Sequence, residues 1–74
     1  MKLYTRTVCP KCMWIKSEIQ RAGVEVDIIN VDHNAEAFER LVAAGAMSVP
    51  VMEVEGEFIL DTNEMVKQLE RTNV

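Results

Sequence analysis

The stretch KLYTRTVCPKCMWIKSEIQRAGVEVDIINV, residues 2–31, decides the fold. Its middle reads as a helix. Pro10 suits a first helical position, because it has no N–H to lose there. Cys12, Ile15, Ile19 and Ala22 then recur at steps of three, four and three, which is one helical face, and Gly23 is a natural stop. On either side lie strand-like runs: Lys2 to Thr5 before it, and Val24-Glu25-Val26-Asp27-Ile28, continued by Ile29 and Val31, after it. Strand, helix, strand implies two parallel strands joined by a right-handed crossover.

Working outward, Asn34 can cap a second helix with Phe38, Leu41 and Val42 on its buried face and Gly45 at its end. Pro50 precedes a third strand, Val51 to Val54. Glu55-Gly56 makes a tight turn into a fourth, Glu57 to Leu60. Asp61, with Glu64 three residues on, resembles a capping box for a last helix whose Met65, Val66 and Leu69 face inward. The expected order is β-α-β-α-β-β-α. It makes an α/β domain spanning residues 1–74, with a four-stranded mixed sheet and helices on both faces.

Bulk numbers narrow the function. With 74 residues the core is thin, and 49% apolar with 27% charged residues is ordinary for a folded domain. A net charge of −4 argues against a nucleic-acid or anionic-membrane partner. No apolar run approaches the roughly 20 residues needed to span a bilayer. The first residues show no export signal, so the cytoplasm is the expected location and a monomer the expected state. Lys2, Arg6, Lys11 and Lys16 nevertheless fall early, with no acid among them. This is either a solvated basic face or part of a site.

The chemistry starts from Cys9-Pro10-Lys11-Cys12, which holds the only two cysteines. A bridge between them closes too short a loop to restrict the unfolded chain, so it is a poor staple. Reactivity, metal binding or plain burial must explain the pair. At a helix start, unpaired N–H groups, the helix dipole and the nearby Lys11 all favour thiolate over thiol. That makes Cys9 the expected exposed attacking sulfur and Cys12, on the apolar face, the resolving one. Zinc wants four ligands, and no second Cys pair or His pair exists; His33 is the only histidine and reads as a surface residue. Redox is therefore the preferred reading for such a pair beside a strand–helix–strand unit. A metal or iron–sulfur carrier using the same cysteines and a non-catalytic binding module remain as alternatives.

Tyr4-Thr5-Arg6-Thr7-Val8-Cys9-Pro10-Lys11-Cys12 is similar to the opening of bacterial glutaredoxins and NrdH-redoxins. Ile29-Asn30-Val31-Asp32 resembles the end of the second strand in NrdH-redoxins, and Ser48-Val49-Pro50 resembles the glutaredoxin Thr-Val-Pro segment. The resemblance covers nearly the whole chain. It implies a thioredoxin-like fold of the glutaredoxin type and a thiol–disulfide oxidoreductase with no bound cofactor. It also implies a cis Val49-Pro50 bond whose Val49 backbone faces Cys9 to receive a substrate strand. From the residues alone, a trans proline opening a strand is the reading. Pro10, Lys11 and Pro50 would support the site, and Arg6, Lys11, Val49, Thr62 and Asn63 would contact substrate or glutathione. Disulfide-bearing proteins, with ribonucleotide reductase among them, are the implied clients, and glutathione or thioredoxin reductase the implied reductant.

The chain also departs from both groups. Lys11 replaces the tyrosine of glutaredoxins, and Leu60-Asp61 stands where they have Gly-Gly. Losing the glycines removes close backbone approach to a ligand, and Asp61 brings an anion to where a glutathione carboxylate would dock. Asp61 also reads as a helix cap. The Trp-Ser-Gly-Phe segment of NrdH-redoxins is absent, since this chain has Ile59-Leu60-Asp61-Thr62 there. Trp14 is read as a half-buried surface residue in preference to a partner contact.

Overall fold

The structure, a computed structural model, describes residues 1–46 and 48–72. The chain runs β1 (Lys2–Thr5), α1 (Pro10–Ala22), β2 (Asp27–Asn30), a short 3-10 turn (Val31–His33), α2 (Ala35–Ala43), β3 (Val51–Val54), β4 (Glu57–Ile59) and α3 (Thr62–Thr72). The sheet order is β2-β1-β3-β4. β1 pairs parallel with β2, antiparallel with β3, and β3 antiparallel with β4. This is the mixed sheet expected of a β-α-β unit followed by a hairpin.

Because side chains alternate across a strand, β1 feeds two cores. Leu3 packs with Ile15 and Ile19 of α1, Met52 of β3, and Met65 and Leu69 of α3 on one face. Tyr4 packs with Val31, Ala37 and Leu41, Ala46 and Val51 on the other, under α2. Burying each large apolar side chain contributes about 1.5–3 kcal/mol. That is a large share of the stability of a domain this small.

The helix signals operate as physical stops and starts. Gly23 adopts φ 70° and returns its N–H to the Gln20 and Ile19 carbonyls, closing α1. Asn34 accepts the Ala37 N–H at 3.0 Å, opening α2. Glu55 and Gly56 have φ of 50° and 84°, the two positive values that let a two-residue hairpin follow strand twist.

Four expectations need correction. The second strand starts at Asp27, not Val24, because β1 offers partners only from Lys2 onward, opposite Asp27. It ends at Asn30, whose side chain accepts the Asp32 N–H and turns the chain into the 3-10 segment. Phe38 and Val42 are 42% and 44% exposed; the stripe that α2 buries is Ala37 and Leu41, one step round the helix. The fourth strand stops at Ile59 and leaves Leu60 exposed. Finally, Asp61 accepts the Asn63 N–H, but Glu64 pairs with Lys67 at 3.3 Å instead of reaching back as in a capping box. No helix is long and apolar enough to cross a membrane among the described residues.

Candidate active site

Strand β1 ends at Thr5 and the chain must cross to α1 through residues 6–9. Little apolar packing holds this crossing, since Arg6, Thr7 and Val8 are all exposed. Polar bonds hold it instead. Asp32 accepts the Thr7 N–H at 2.9 Å and the Arg6 Nε–H at 3.0 Å. Asn30 Nδ2 donates to Thr7 Oγ1 at 3.2 Å. The Thr7 N–H above all, together with the Arg6 guanidinium, holds the Asp32 carboxyl below its ordinary range.

This loop delivers Cys9 to the N-cap of α1. The Cys9 backbone is extended, its carbonyl accepts the Met13 N–H at 3.1 Å, and its Sγ accepts the Cys12 N–H at 3.1 Å. Pro10 takes the first helical position, where no donor is lost. An orphan N–H thus points at the sulfur, and the positive end of the helix dipole lies behind it. Cys9 is half-buried, whereas Cys12 is 1% exposed, one turn on. The two sulfurs are joined as a disulfide, with Cα atoms 5.2 Å apart.

Val49 and Pro50 come to the same place from the far end of the sequence. Their peptide bond is cis, the geometry that the resemblance implied and that the residues alone did not. Cys9 Sγ lies 4.0 Å from the Val49 carbonyl oxygen. Beside this contact runs a groove of about 370 Å³, lined by Lys11, Gly45, Ser48, Val49, Pro50, Leu60, Asp61 and Thr62. Lys11 thus stands at the groove with its charge exposed.

The structure therefore brings together six of the nine residues singled out from sequence as a site: Cys9, Lys11, Cys12, Val49, Pro50 and Thr62. Pro10 stands beside them as the first residue of α1. Arg6 lies at the neighbouring crossing, with its guanidinium committed to Asp32. Asn63 is not among the groove residues; its backbone N–H donates to Asp61. Trp14 is half-exposed on α1. His33 is exposed, and among the described residues no group of three His, Cys, Asp or Glu side chains could hold a metal ion.

Sequence reasoning missed two things. Asp32 was read only as part of a strand-end motif, and nothing local signals that it grips a loop 25 and 26 residues away. The second is a partly buried polar cluster that joins α2 to the sheet. The Tyr4 hydroxyl donates to Glu53 at 2.6 Å, and Arg40 bridges to Glu53 at 3.2 Å while lying over the Phe58 ring. Burial first, then the Glu53 hydrogen bond, pushes the Tyr4 hydroxyl up to about 12. Tyr4 looked like an ordinary strand aromatic because its partners lie on β3 and α2.

Comparison with known proteins agrees with this geometry. A glutaredoxin family model matches residues 1–59. Gene 56 protein of Mycobacterium phage L5 is 37% identical over 51 residues, covering 68% of this chain and 50% of that protein. Glutaredoxin-like protein NrdH of Escherichia coli (strain K12) is 38% identical over 50 residues, covering 68% of this chain and 62% of that protein. The chain thus matches little more than half the length of these curated relatives. The solved structure of the glutaredoxin-like NrdH-redoxin from Escherichia coli, which has a thioredoxin-like activity profile, superposes with a TM-score of 0.80. The two are 30% identical, with 92% of this chain and 91% of that one covered. A four-stranded thioredoxin-like sheet, a Cys-Pro-Lys-Cys pair at a helix mouth and a matching family model over most of its length establish that the chain belongs to the glutaredoxin family.

Proposed function

We propose that this chain carries two electrons to protein disulfides through Cys9 and Cys12. The observation that carries this reading is the placement of the two sulfurs. Cys9 is partly exposed, its Sγ accepts the Cys12 N–H at 3.1 Å and lies 4.0 Å from the Val49 carbonyl oxygen, while Cys12 is buried behind it. In the reduced protein the same N–H and the helix dipole favour a Cys9 thiolate.

The thiolate attacks one sulfur of a client disulfide. The client S–S bond breaks, one client thiolate leaves, and a mixed disulfide forms at Cys9. Cys12, as its thiolate, then attacks the Cys9 sulfur and expels the second client thiolate. The client gains two electrons and the chain ends as the Cys9–Cys12 disulfide, the form seen in the structure. No bound cofactor takes part. Pro10 shapes the helix start, and Val49 offers backbone groups to an extended client segment.

The reductant we favour is a dithiol reductase of the thioredoxin reductase type over glutathione. Arg6, the cation that would meet a glutathione carboxylate, is already paired with Asp32, and Asp61 lines the groove with a negative charge. The NrdH likeness supports the same choice and makes ribonucleotide reductase a client to test. A cytoplasmic setting, where thiols are kept reduced, suits this work.

The test is recycling. Oxidised protein is mixed with NADPH and either thioredoxin reductase, or glutathione plus glutathione reductase, with insulin as the disulfide substrate. NADPH consumption with the first system and little with the second is expected. Consumption with neither overturns the oxidoreductase reading, and faster turnover with glutathione overturns the choice of reductant.

A further inference from the structure

Lys11 and Asp61 are the two residues by which this groove departs most from the glutaredoxin pattern, and they reach it from different elements. Lys11 comes from the first turn of α1; Asp61 comes from the junction of β4 and α3. Val49 and Pro50 line the same groove, and the Val49 carbonyl oxygen lies 4.0 Å from the reacting sulfur. Both charged residues are exposed, and among the described residues neither forms an ion pair, although Arg6, Arg21, Arg40 and Lys67 all do. One Asp61 oxygen accepts the Asn63 N–H, and no hydrogen bond among the described residues engages the other. Among the described residues no other charged residue lines the groove. It is therefore polar in a directional sense, with a cation toward α1 and an anion toward α3.

We infer that this groove selects client segments carrying opposite charges on the two sides of their cysteine, the acid facing Lys11 and the base facing Asp61. The inference rests on the oxidoreductase reading above and adds the class of client. An extended segment reduced by Cys9 has to pass over Val49 and Pro50. Its flanking side chains then fall near Lys11 on one side and Asp61 on the other. A segment in the opposite charge order meets two like charges. A segment with two acids or two bases gains one contact and loses one. Charge pairs of this kind discriminate between partners more than they add affinity, and in an exposed groove salt weakens them.

Symmetrical disulfide dimers of two capped pentapeptides test this: Glu-Ala-Cys-Ala-Lys and Lys-Ala-Cys-Ala-Glu, with Gln-Ala-Cys-Ala-Gln as the neutral reference. Pre-reduced protein supplies the electrons. Each event turns one peptide dimer into two free thiols and the protein dithiol into its disulfide. Rates are divided by those with dithiothreitol, which removes intrinsic differences between the peptides.

The expected result is that one charged order is reduced roughly threefold to tenfold faster than the other at low ionic strength. The neutral peptide should lie between them, and the difference should shrink toward nothing at about 1 M salt. The double variant K11Q/D61N should bring the ratio to one. The asparagine introduced by D61N keeps a side-chain carbonyl for the Asn63 N–H, so the helix cap survives. Because the readout is a ratio within one protein, an overall change in rate does not enter it. Equal rates for the two orders in the unmodified protein, or an unchanged ratio in the double variant, overturn the inference and leave the oxidoreductase reading standing. Failure to reduce any of the three peptides overturns both.

Discussion

Cys9 and Cys12 have Cα atoms only 5.2 Å apart, yet they belong to regions held by different forces. The region before Cys9 is an exposed crossing tied down by polar bonds to Asp32 and Asn30. The region after Cys12 is a helix whose inner face is sealed by Ile15 and Ile19 against Leu3, Met52, Met65 and Leu69. The contrast fits the proposed division of labour: Cys9, the proposed attacking residue, is partly exposed and held by hydrogen bonds, and Cys12, the proposed resolving one, is 1% exposed behind it.

The largest expected effect comes from removing the outer sulfur. Cys9→Ser should lower insulin reduction at least about a hundredfold, because a hydroxyl near neutrality is a far weaker nucleophile than a thiolate. Activity near the unmodified level would break the assignment of roles. Cys12→Ser should leave the attack intact and stall the cycle. A covalent adduct with the client should accumulate on a non-reducing gel, and its absence would argue that the inner sulfur is not the resolving group.

Ile15→Ala tests the packed side of the contrast. It should cost about 2–5 kcal/mol in urea unfolding, while the fraction that remains folded still reduces disulfides. A loss below about 1 kcal/mol would mean that the core beneath α1 is looser than its full burial implies.

Acid tests the polar side. Asp32 is held below its ordinary 3.8 chiefly by the Thr7 N–H, so its carboxylate is stabilised in the folded state. The clamp it forms is therefore complete above about pH 4, and is lost as pH falls through the depressed value. Hydrogen exchange at the Thr7 amide should rise over that window. In Asp32→Ala it should be fast at every pH, with Cys12 and α1 amides little changed. Equal loosening of both regions would dissolve the comparison. The smallest effect is a spectroscopic one: Tyr4, the single tyrosine, should ionise near 12. A midpoint near the ordinary 10.0 in the ultraviolet would show that its hydroxyl is neither buried nor bonded to Glu53.

Much of this was legible in the sequence because its signals are local. The Pro10 start, the Gly23 stop and the three-four spacing between them place α1 at Pro10–Ala22. Pro50 and Glu55-Gly56 likewise bracket β3. The Cys-x-x-Cys spacing reads as a redox pair because it sits at a helix mouth. The errors fell where a distant partner decides. β2 is shorter than its β-branched run because β1 limits its register. Phe38 and Val42 stay largely exposed because the stripe of α2 that packs on Tyr4, Val31 and Val51 is Ala37 and Leu41. The Arg6–Asp32 pair and the Tyr4–Glu53–Arg40 cluster join residues far apart in the chain, and no window on the sequence displays such contacts.

The central claim is that the Cys12 N–H and the helix mouth keep the Cys9 sulfur ionised near neutrality. The pH dependence of iodoacetamide alkylation at Cys9 in the reduced protein measures this directly. A half-maximal rate below about pH 7.5 is the predicted result, and a midpoint at or above the free-cysteine value of about 8.5 would contradict it.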